Sequence, residues 1–578
     1  MRHVFAVALL VCSALTALGA DTASSIRNSP HNLSAAGPGR IKAVAEPQIC
    51  IFCHTPHNAA PIQPLWNRAN PASAYRVYSS KSLDALPGQP TGSSKLCLSC
   101  HDGTIALGSV LSRTQRIEMS GGMTVLPPGK SNLGTDLSDD HPISFKYDAA
   151  LAAKDLKLKD PAQLPSAVRL DAQQEMQCTS CHEPHDNSRG KFLVMDNANS
   201  QLCNSCHRLQ NTNLPSHTNC SSCHQPHTAP SGPYLLKAAK VTETCTACHG
   251  ATPTGTQAVN VAADIAKLSR HDTGNPVNQR DHVPNNSDCS DCHGPHTMKS
   301  GTAVAPTIPP HMGQVDGVNA SGAPVASAQY EYEVCFKCHA EQQASQPFIR
   351  RQVVQNNLRL EFASNAISFH PVEQRGRSSD VPSLNPGMTT ASLIYCNDCH
   401  NSDSGKKAGG TGPDGVHGSN NKPLLVLRYE TIDGTSESAG TYALCYKCHS
   451  RASILSDVSF SAHKLHIVDK QTPCSVCHDA HGINSAQGTA QKNARLINFD
   501  TTVVTPDAGT GRLEFNQTGN RQGTCFLTCH GTTHSGTAYT GGALLSPAVR
   551  RAIPARRPAA PAPAPLVPRR GGTVTPRR

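Results

Sequence analysis

Large side chains are scarce in this chain. Aromatic residues make up 4% of its 578 residues, with one tryptophan and eight methionines. A chain of this length would form about four domains, each with its own core to fill. So few large side chains cannot fill several close-packed cores. We therefore expect other apolar material to supply part of the interior.

Long apolar runs are missing too, except at the N-terminus. The run over residues 4–18 follows Arg2 and ends in Gly19 and Ala20. It is too short to span a bilayer, but a basic start, an apolar centre and small residues at the end are typical of a secretory signal. We predict an exported protein with a signal peptide over residues 1–20, cleaved near Ala20, and no transmembrane span.

The abundant residues are cysteine and histidine, at 25 and 29 copies. Cys12 lies in the signal, and each of the other 24 cysteines belongs to a pair followed directly by histidine. Eleven pairs read C-x-x-C-H, and the twelfth is the wider CFLTCH. The pairs, numbered here as sites 1 to 12 in chain order, are Cys50 and Cys53, Cys97 and Cys100, Cys178 and Cys181, Cys203 and Cys206, Cys220 and Cys223, Cys245 and Cys248, Cys289 and Cys292, Cys335 and Cys338, Cys396 and Cys399, Cys445 and Cys448, Cys474 and Cys477, and Cys525 and Cys529.

This motif is the attachment signature of c-type haem. Two thiols one helical turn apart reach two vinyl groups of one porphyrin edge, and the following histidine binds the iron. A zinc site would combine two cysteine pairs per metal, and a redox dithiol would not recur twelve times. We predict twelve covalently attached haem c groups. Their motif histidines are His54, His101, His182, His207, His224, His249, His293, His339, His400, His449, His478 and His530.

Sixteen further histidines remain in the mature chain, enough for a second axial ligand at every iron, whereas methionines are too few. The weakest candidates for a second axial ligand are His282, His311 and either His463 or His466. The distal ligands that we predict are His31, His57, His141, His185, His217, His227, His271, His296, His370, His417, His463 and His481.

Five of these distal candidates lie three residues after a motif histidine. They are His57, His185, His227, His296 and His481. Residues three apart on a turn project to the same side, whereas two axial ligands approach one iron from opposite faces. These five side chains should therefore bind a neighbouring iron, which brings two haems close together.

Carboxylates adjoin two other distal candidates. Asp139 and Asp140 precede His141, and Asp272 follows His271. We expect them to accept a hydrogen bond from the second ring nitrogen of the adjacent histidine and so raise its basicity.

The segments between motifs are rich in glycine, proline, serine and asparagine, which favours loops over sheets. We predict a mostly irregular fold with short helices over residues 21–545, wrapped around a contiguous haem array. Sites 1–2, 3–4, 5–6, 7–8, 9–10 and 11–12 would form pairs within it.

The segment over residues 546–578 holds eight arginines, eight prolines and no acid, so we expect a disordered tail. Without this tail and the signal the net charge falls from +10 to about +1, and haem propionates would make the body acidic. The tail is either simply solvated or a binding element for acidic surface material. No nucleic-acid partner is expected.

Several segments resemble the doubled-CxxCH multihaem cytochromes c of dissimilatory metal-reducing bacteria. They include SPHNLS around His31, CIFCHTPH followed by PLWNR, KLCLSCHDGTIALG, SDDHPISF around His141, and CTSCHEPHDN followed by GKFLV. The resemblance implies bis-histidine haems, His31 and His141 as distal ligands, and electron transfer in the periplasm or at the outer surface. It also implies that such a chain can self-associate into a filament.

The sequence favours an electron carrier that serves other cytochromes or a terminal acceptor outside the cell. The alternative is a multihaem reductase of nitrogen or sulfur oxyanions, which would need one iron with an open position. No C-x-x-C-K motif is present, and histidines exceed the sites that they must fill. A passive surface protein would not explain the haem density.

Overall fold

The computed structural model describes residues 26–540, except 61–62, 64, 81, 231–232, 252–258, 274–286 and 342–348. The signal, the arginine-rich tail and His282 lie outside the described residues. The chain divides into two compact units. Unit 1 runs to Cys245 and includes residues 295–298, and unit 2 contains the other described residues.

The helices are short. The longest, α1, has ten residues. The described α-helices are α1 (Gly92–His101), α2 (Ala149–Lys154), α3 (Gln201–Cys206), α4 (Val241–His249), α5 (Ala262–Ile265), α6 (Cys289–Cys292), α7 (Glu331–His339), α8 (Leu358–Phe362), α9 (Ala443–Tyr446), α10 (Arg451–Leu455) and α11 (Cys474–Cys477). A π-helical turn covers Leu465–Asp469. This is the mostly irregular fold with short helices that the sequence predicts.

Most strands are two-residue pairs. They are β1 (Arg76–Val77) with β2 (Asp136–Leu137), β3 (Phe145–Lys146) with β4 (Glu175–Met176), β5 (Gly317–Val318) with β6 (Pro324–Val325), and β7 (Ser368–Phe369) with β8 (Gly482–Ile483). The exception is an antiparallel sheet at the end of unit 2. It consists of β9 (Val504–Thr505), β10 (Glu514–Gly519), β11 (Gln522–Cys529) and β12 (Thr532–Thr540), in the order β10-β11-β12 with β9 paired to β11. The sequence argument against sheets was wrong here, because β-branched and aromatic residues in this segment form long strands.

Cysteine pairs 1 to 11 lie on helical turns. Sites 2, 4, 6, 7, 8 and 11 lie on α1, α3, α4, α6, α7 and α11, and site 10 begins on α9, while sites 1, 3, 5 and 9 begin 3-10 turns. A helical turn brings residues three apart to within about 5–6 Å of each other, as two thioethers to one porphyrin require. Site 12 differs, since Cys525 and Cys529 lie on strand β11.

A repeated backbone clamp holds five of these turns. At site 3 the carbonyl of Cys181 accepts from the Val194 amide at 3.0 Å. Equivalent bonds join Cys53 to Asn67, Cys223 to Lys237, Cys399 to Val426, and Cys477 to Asn498. Before each clamp a non-glycine residue takes a positive φ, namely Leu65, Phe192, Leu235, Leu424 and Leu496. Left-handed conformations cost non-glycine residues about 1–2 kcal/mol, so their recurrence indicates that the clamp is a required part of these sites.

Apolar packing is divided among small clusters. In unit 1, one cluster joins Ile51, Phe52, Leu107 and Met119, and a second is built around Tyr147. In unit 2, the cluster around Val476, Phe499 and Leu527 covers one face of the C-terminal sheet. Clusters this small, next to the cysteine pairs, fit a chain that leaves room for apolar cofactors.

Glu331, at the start of α7, predicts a pH dependence of stability. Its side chain is buried, and burial raises its pKa to about 7 from the ordinary value of 4.5. The folded state therefore keeps a proton that the unfolded state releases, so stability falls as pH rises from 4.5 to 7, by about 3 kcal/mol. Glu331→Gln should remove this loss in urea unfolding of the holoprotein at pH 5 and 8. The exposed Glu118→Gln is the control, and an unchanged pH dependence in Glu331→Gln would contradict the assignment.

Candidate haem-binding sites

Each of ten motif histidines faces a second histidine ring across a constant gap. The distances between ring centres run from 6.0 Å for His54 and His185 to 6.4 Å for His478 and His463. We call two histidines in this arrangement an axial pair. The others with a motif histidine are His101 with His31, His182 with His227, His207 with His141, His224 with His296, His293 with His417, His339 with His271, His400 with His481, and His449 with His370.

The gap fits one iron. Metal–imidazole bonds of about 2 Å on opposite faces, with the nitrogen about 1 Å from its ring centre, put the two centres about 6 Å apart. Of the two ring nitrogens, Nε2 has no hydrogen-bond partner in any of these pairs over the described residues. These side chains can therefore hold the iron of a haem between them.

At seven motif histidines the other ring nitrogen is fixed by the backbone. Nδ1 of His101 donates to the Ser131 carbonyl at 2.6 Å, and Nδ1 of His224 donates to the Tyr234 carbonyl at 2.7 Å. His182, His249, His293, His400 and His478 have the same kind of bond to the carbonyls of Lys191, Val259, His311, Pro423 and Arg495. A proton on Nδ1 leaves the Nε2 lone pair free for a metal, and the bond fixes the orientation of the ring.

Burial lowers the pKa of several of these imidazoles. It lowers the pKa of His207 to about 4, and the nearby His141 lowers it further. The pKa values of His339, His400 and His449 fall to about 4 for the same main reason. Because only a neutral imidazole binds metal, the chain presents ligands at neutral pH without having to release a proton.

In four cases the histidine that lies three residues after a motif faces the motif histidine of the site two positions earlier. His185 follows site 3 but faces His54 of site 1. In the same way, His227 faces His182, His296 faces His224, and His481 faces His400. The sequence predicts that these side chains reach another iron, and the structure shows that the step skips one site.

The same loops also contact the site immediately before them. The carbonyl of Pro184, in the loop of site 3, accepts from Nδ1 of His31, which faces the site 2 histidine. Ala480, in the loop of site 11, does the same for His370 of site 10, at 2.6 Å. One C-x-x-C-H-x-x-H loop therefore supports three sites: its own, the one before it and the one before that.

Thiol contacts link the same neighbours. The thiols of Cys97 and Cys178 are in hydrogen-bonding contact, which joins sites 2 and 3. Equivalent contacts join Cys203 to Cys220, Cys335 to Cys396, and Cys445 to Cys474. These contacts join sites 2–3, 4–5, 8–9 and 10–11. The pairing of haems 1–2, 3–4 and so on, which the motif order suggests, stays a prediction.

The carboxylates act differently from the expectation. Asp140 accepts from Nδ1 of His227 at 3.1 Å, while Nδ1 of the adjacent His141 donates to the Pro142 carbonyl. Nδ1 of His271 donates to the Val416 carbonyl, and not to Asp272. Adjacent residues on an extended chain project to opposite sides, so a neighbour in sequence is a poor guide to the partner of a ring.

One acidic group lies beside an axial pair in unit 2. Glu361 and Asp479 are buried next to His481, with a Glu361 carboxylate oxygen 3.7 Å from its Nδ1. These three side chains could together bind a metal ion. Because His481 also faces His400, we interpret the two carboxylates as support for that axial ligand.

Two predicted distal ligands, His57 and His217, do not belong to the ten axial pairs. His57 is exposed, and in the described part of the chain no histidine ring faces it. His217 ends a 3-10 turn, where Ser216 bonds its Nδ1, and its pairing stays a prediction, as does that of His249. At site 7 both His311 and His417 lie 6.2 Å from His293. The backbone of His311 already occupies Nδ1 of His293, which favours His417 on the opposite side.

Site 12 differs from the sequence prediction. Nε2 of His530, the atom that would bind iron, lies 2.9 and 3.0 Å from the two carboxylate oxygens of Asp433. Nearby, His466 and His534 form an axial pair at 6.3 Å although neither follows a cysteine. Sequence reasoning did not select these two histidines, because no motif marks them; the only available signal was the surplus of histidines over sites.

Two family models match parts of the chain. Residues 320–491 match domains II/IV of MtrC/MtrF-like outer membrane cytochromes. Residues 172–212 and 215–254 each match the doubled CXXCH motif. No curated protein sequence matches the chain significantly. Taken with the axial pairs, these matches support the interpretation of this chain as a multihaem c-type cytochrome of the doubled-CxxCH kind found in dissimilatory metal-reducing bacteria.

Proposed function

We propose that this protein is an exported twelve-haem cytochrome that conducts electrons to an acceptor outside the cell. The matches to outer membrane cytochromes support a role in extracellular electron transfer. The acceptor that fits best is one too large to enter the cell, such as a metal oxide or a partner cytochrome. Within the described residues, no helix is both long and apolar enough to cross a membrane.

The axial pairs carry this proposal. A reductase needs an iron with an open position for substrate, whereas ten motif histidines face a second histidine. Haem c, when bound, supplies one-electron redox chemistry at each site. The chain's own contribution is to fill both axial positions with imidazoles and so exclude substrates from the metal.

Loops that are shared between sites favour conduction of electrons over their storage. The loop of site 3 provides His185 to site 1 and the Pro184 carbonyl to His31 at site 2. The loop of site 11 connects sites 9 and 10 in the same way. Each unit therefore holds a series of sites whose ligands share loops, and a path through such a series needs a donor at one end and an acceptor at the other.

Carbon monoxide binding tests the proposal. The dithionite-reduced holoprotein should bind no carbon monoxide, because the proposal gives every iron two histidine ligands. His31→Ala should bind one equivalent, since it opens the site 2 iron without altering a cysteine pair. Binding of one equivalent or more by the unmodified protein would favour the reductase instead.

A further inference from the structure

One buried carboxylate in unit 1 contacts the imidazole of an axial pair. Asp140 Oδ1 accepts from Nδ1 of His227 at 3.1 Å, and the Asp140 side chain is only 4% exposed. The same oxygen accepts from the Thr228 amide at 3.1 Å. His227 faces His182, so this contact belongs to site 3. The carboxylate is therefore held at the ring nitrogen that does not face the iron position.

The backbone holds Asp140 in this place. The Ala229 amide donates to the Asp139 carbonyl at 3.0 Å, and the His141 amide donates to the Pro226 carbonyl at 2.8 Å. These two bonds join the residues on both sides of Asp140 to the loop that carries the imidazole. Because the backbone fixes both partners, the carboxylate loses little further conformational entropy when it binds the ring.

The other axial pairs have weaker or neutral partners. Among the described residues, Asp140 is the one buried carboxylate within hydrogen-bonding distance of an Nδ1 in the ten pairs with a motif histidine. Glu183 contacts Nδ1 of His185 at 2.9 Å, but these side chains are 49% and 62% exposed, and solvent screens such contacts. At site 9 the Glu361 carboxylate stays 3.7 Å from the ring, which is beyond a hydrogen bond.

Site 4 lies beside site 3 and has no such partner among the described residues. Nδ1 of His207 is buried without a hydrogen-bond partner, and Nδ1 of His141 donates to the Pro142 carbonyl at 3.0 Å. Burial raises the pKa of the Cys181 thiol in site 3 to about 12, and the nearby Cys206 of site 4 raises it further. A site with an anionic partner is therefore next to a site without one.

A carboxylate at Nδ1 changes how strongly the ring donates electrons to a metal. It draws the Nδ1 proton toward itself, which makes the imidazole a stronger donor through Nε2. This donation and the negative charge itself both stabilise ferric over ferrous iron. A buried charge is screened much less than an exposed one. The reduction potential of an iron with such a ligand should therefore be lower.

We infer that Asp140, acting through His227, holds the reduction potential of site 3 below that of site 4 and so favours electron transfer from site 3 to site 4. The inference rests on the proposed function, since it requires haem c at both sites. In this step one electron leaves ferrous iron at site 3 and reduces ferric iron at site 4, and no proton or bond moves. Asp140 is a positioning residue, because it contacts the ligand and not the iron.

Asp140→Asn tests the inference, because asparagine keeps an oxygen that can accept from Nδ1 but removes the charge. In a spectroelectrochemical titration of the holoprotein, the share of the absorbance change that belongs to one haem should move to higher potential. Asp136→Asn is the matched control, since Asp136 lies four residues away and forms an exposed ion pair with Arg76. Its titration should coincide with that of the native protein.

Two further variants identify the haems. His227→Met and His141→Met should each displace one component of the titration, and the native positions of these components give the potentials of sites 3 and 4. The site 3 component should lie at the lower potential. When Asp140→Asn is added to His227→Met, it should cause little further shift, because the ring that transmits its effect is gone.

Three results would overturn the inference. One is a titration of Asp140→Asn that matches the native one. Another is a native site 3 component at or above the potential of the site 4 component, and this comparison still decides if Asp140→Asn fails to mature. The third is a shift by Asp140→Asn that persists in full in the His227→Met background. Carbon monoxide binding reports on the proposed function separately, because it depends on filled axial positions and not on the order of the potentials.

Discussion

His185→Met is expected to raise the reduction potential of one haem, that of site 1, by on the order of 0.1 V. The thioether stabilises ferrous iron better than an imidazole does, and His185 faces His54 of site 1 although it belongs to the loop of site 3. Spectroelectrochemical titration of the holoprotein should show about one-twelfth of the absorbance change moving to higher potential, with the remainder unaltered.

His57→Met is the matched control, because His57 occupies the equivalent position after site 1. It is exposed and faces no histidine ring among the described residues, so its titration should coincide with that of the native protein. Two results would contradict the assignment of these histidines to the site two positions earlier. One is a shifted reduction potential in His57→Met, and the other is a titration of His185→Met that matches that of the native protein.

Arg68→Met is expected to lower the free energy of unfolding of unit 1 by about 3–5 kcal/mol, because several buried carbonyls lose their donor at about 1–3 kcal/mol each. Arg68 is completely buried and donates to the carbonyls of Leu107, Ser99 and Ala106, at 2.8, 2.9 and 3.2 Å, and to the Ser99 hydroxyl. Methionine fills a similar volume but leaves these buried carbonyls without a donor.

Loss of the Arg68 hydrogen bonds should also weaken the connection between sites 1 and 2. Asn67, next to Arg68, donates to the Ile51 carbonyl inside the first motif, while Arg68 binds Ser99 inside the second. Guanidinium unfolding followed by circular dichroism measures the change. Arg76→Met is the control, because the Arg76–Asp136 ion pair is exposed and such pairs contribute little. Equal stabilities of the two variants would refute the role given to Arg68.

Covalent attachment could be predicted from the sequence because its chemistry is local. Two thiols and a histidine must lie within one turn, so C-x-x-C-H specifies a site with no knowledge of the fold. The same local geometry predicts that His185 and His227 cannot bind their own iron. The choice of iron is not local, since it depends on how loops 40 to 130 residues apart meet.

The hydrogen-bond partners of the histidine Nδ1 atoms could not be predicted from the residues adjacent in sequence. Asp140 adjoins His141 in sequence but binds His227, because the backbone carbonyl of Pro142 is available to His141 at no cost in side-chain entropy. The C-terminal sheet was missed for another reason. The glycine- and proline-rich segments were taken to favour loops throughout, although Phe526 and Thr528 inside the CFLTCH motif favour a strand.

Reoxidation by an insoluble acceptor tests the central claim that the protein conducts electrons through connected sites. Fully reduced holoprotein is mixed with iron(III) oxide particles, and the absorbance of reduced haem is followed. A particle touches only one face of the protein, so connected sites predict complete loss of the reduced signal, to the same end point as with a soluble iron(III) chelate. A plateau at which a fixed fraction of the haems stays reduced on the particles, but not with the chelate, would contradict conduction.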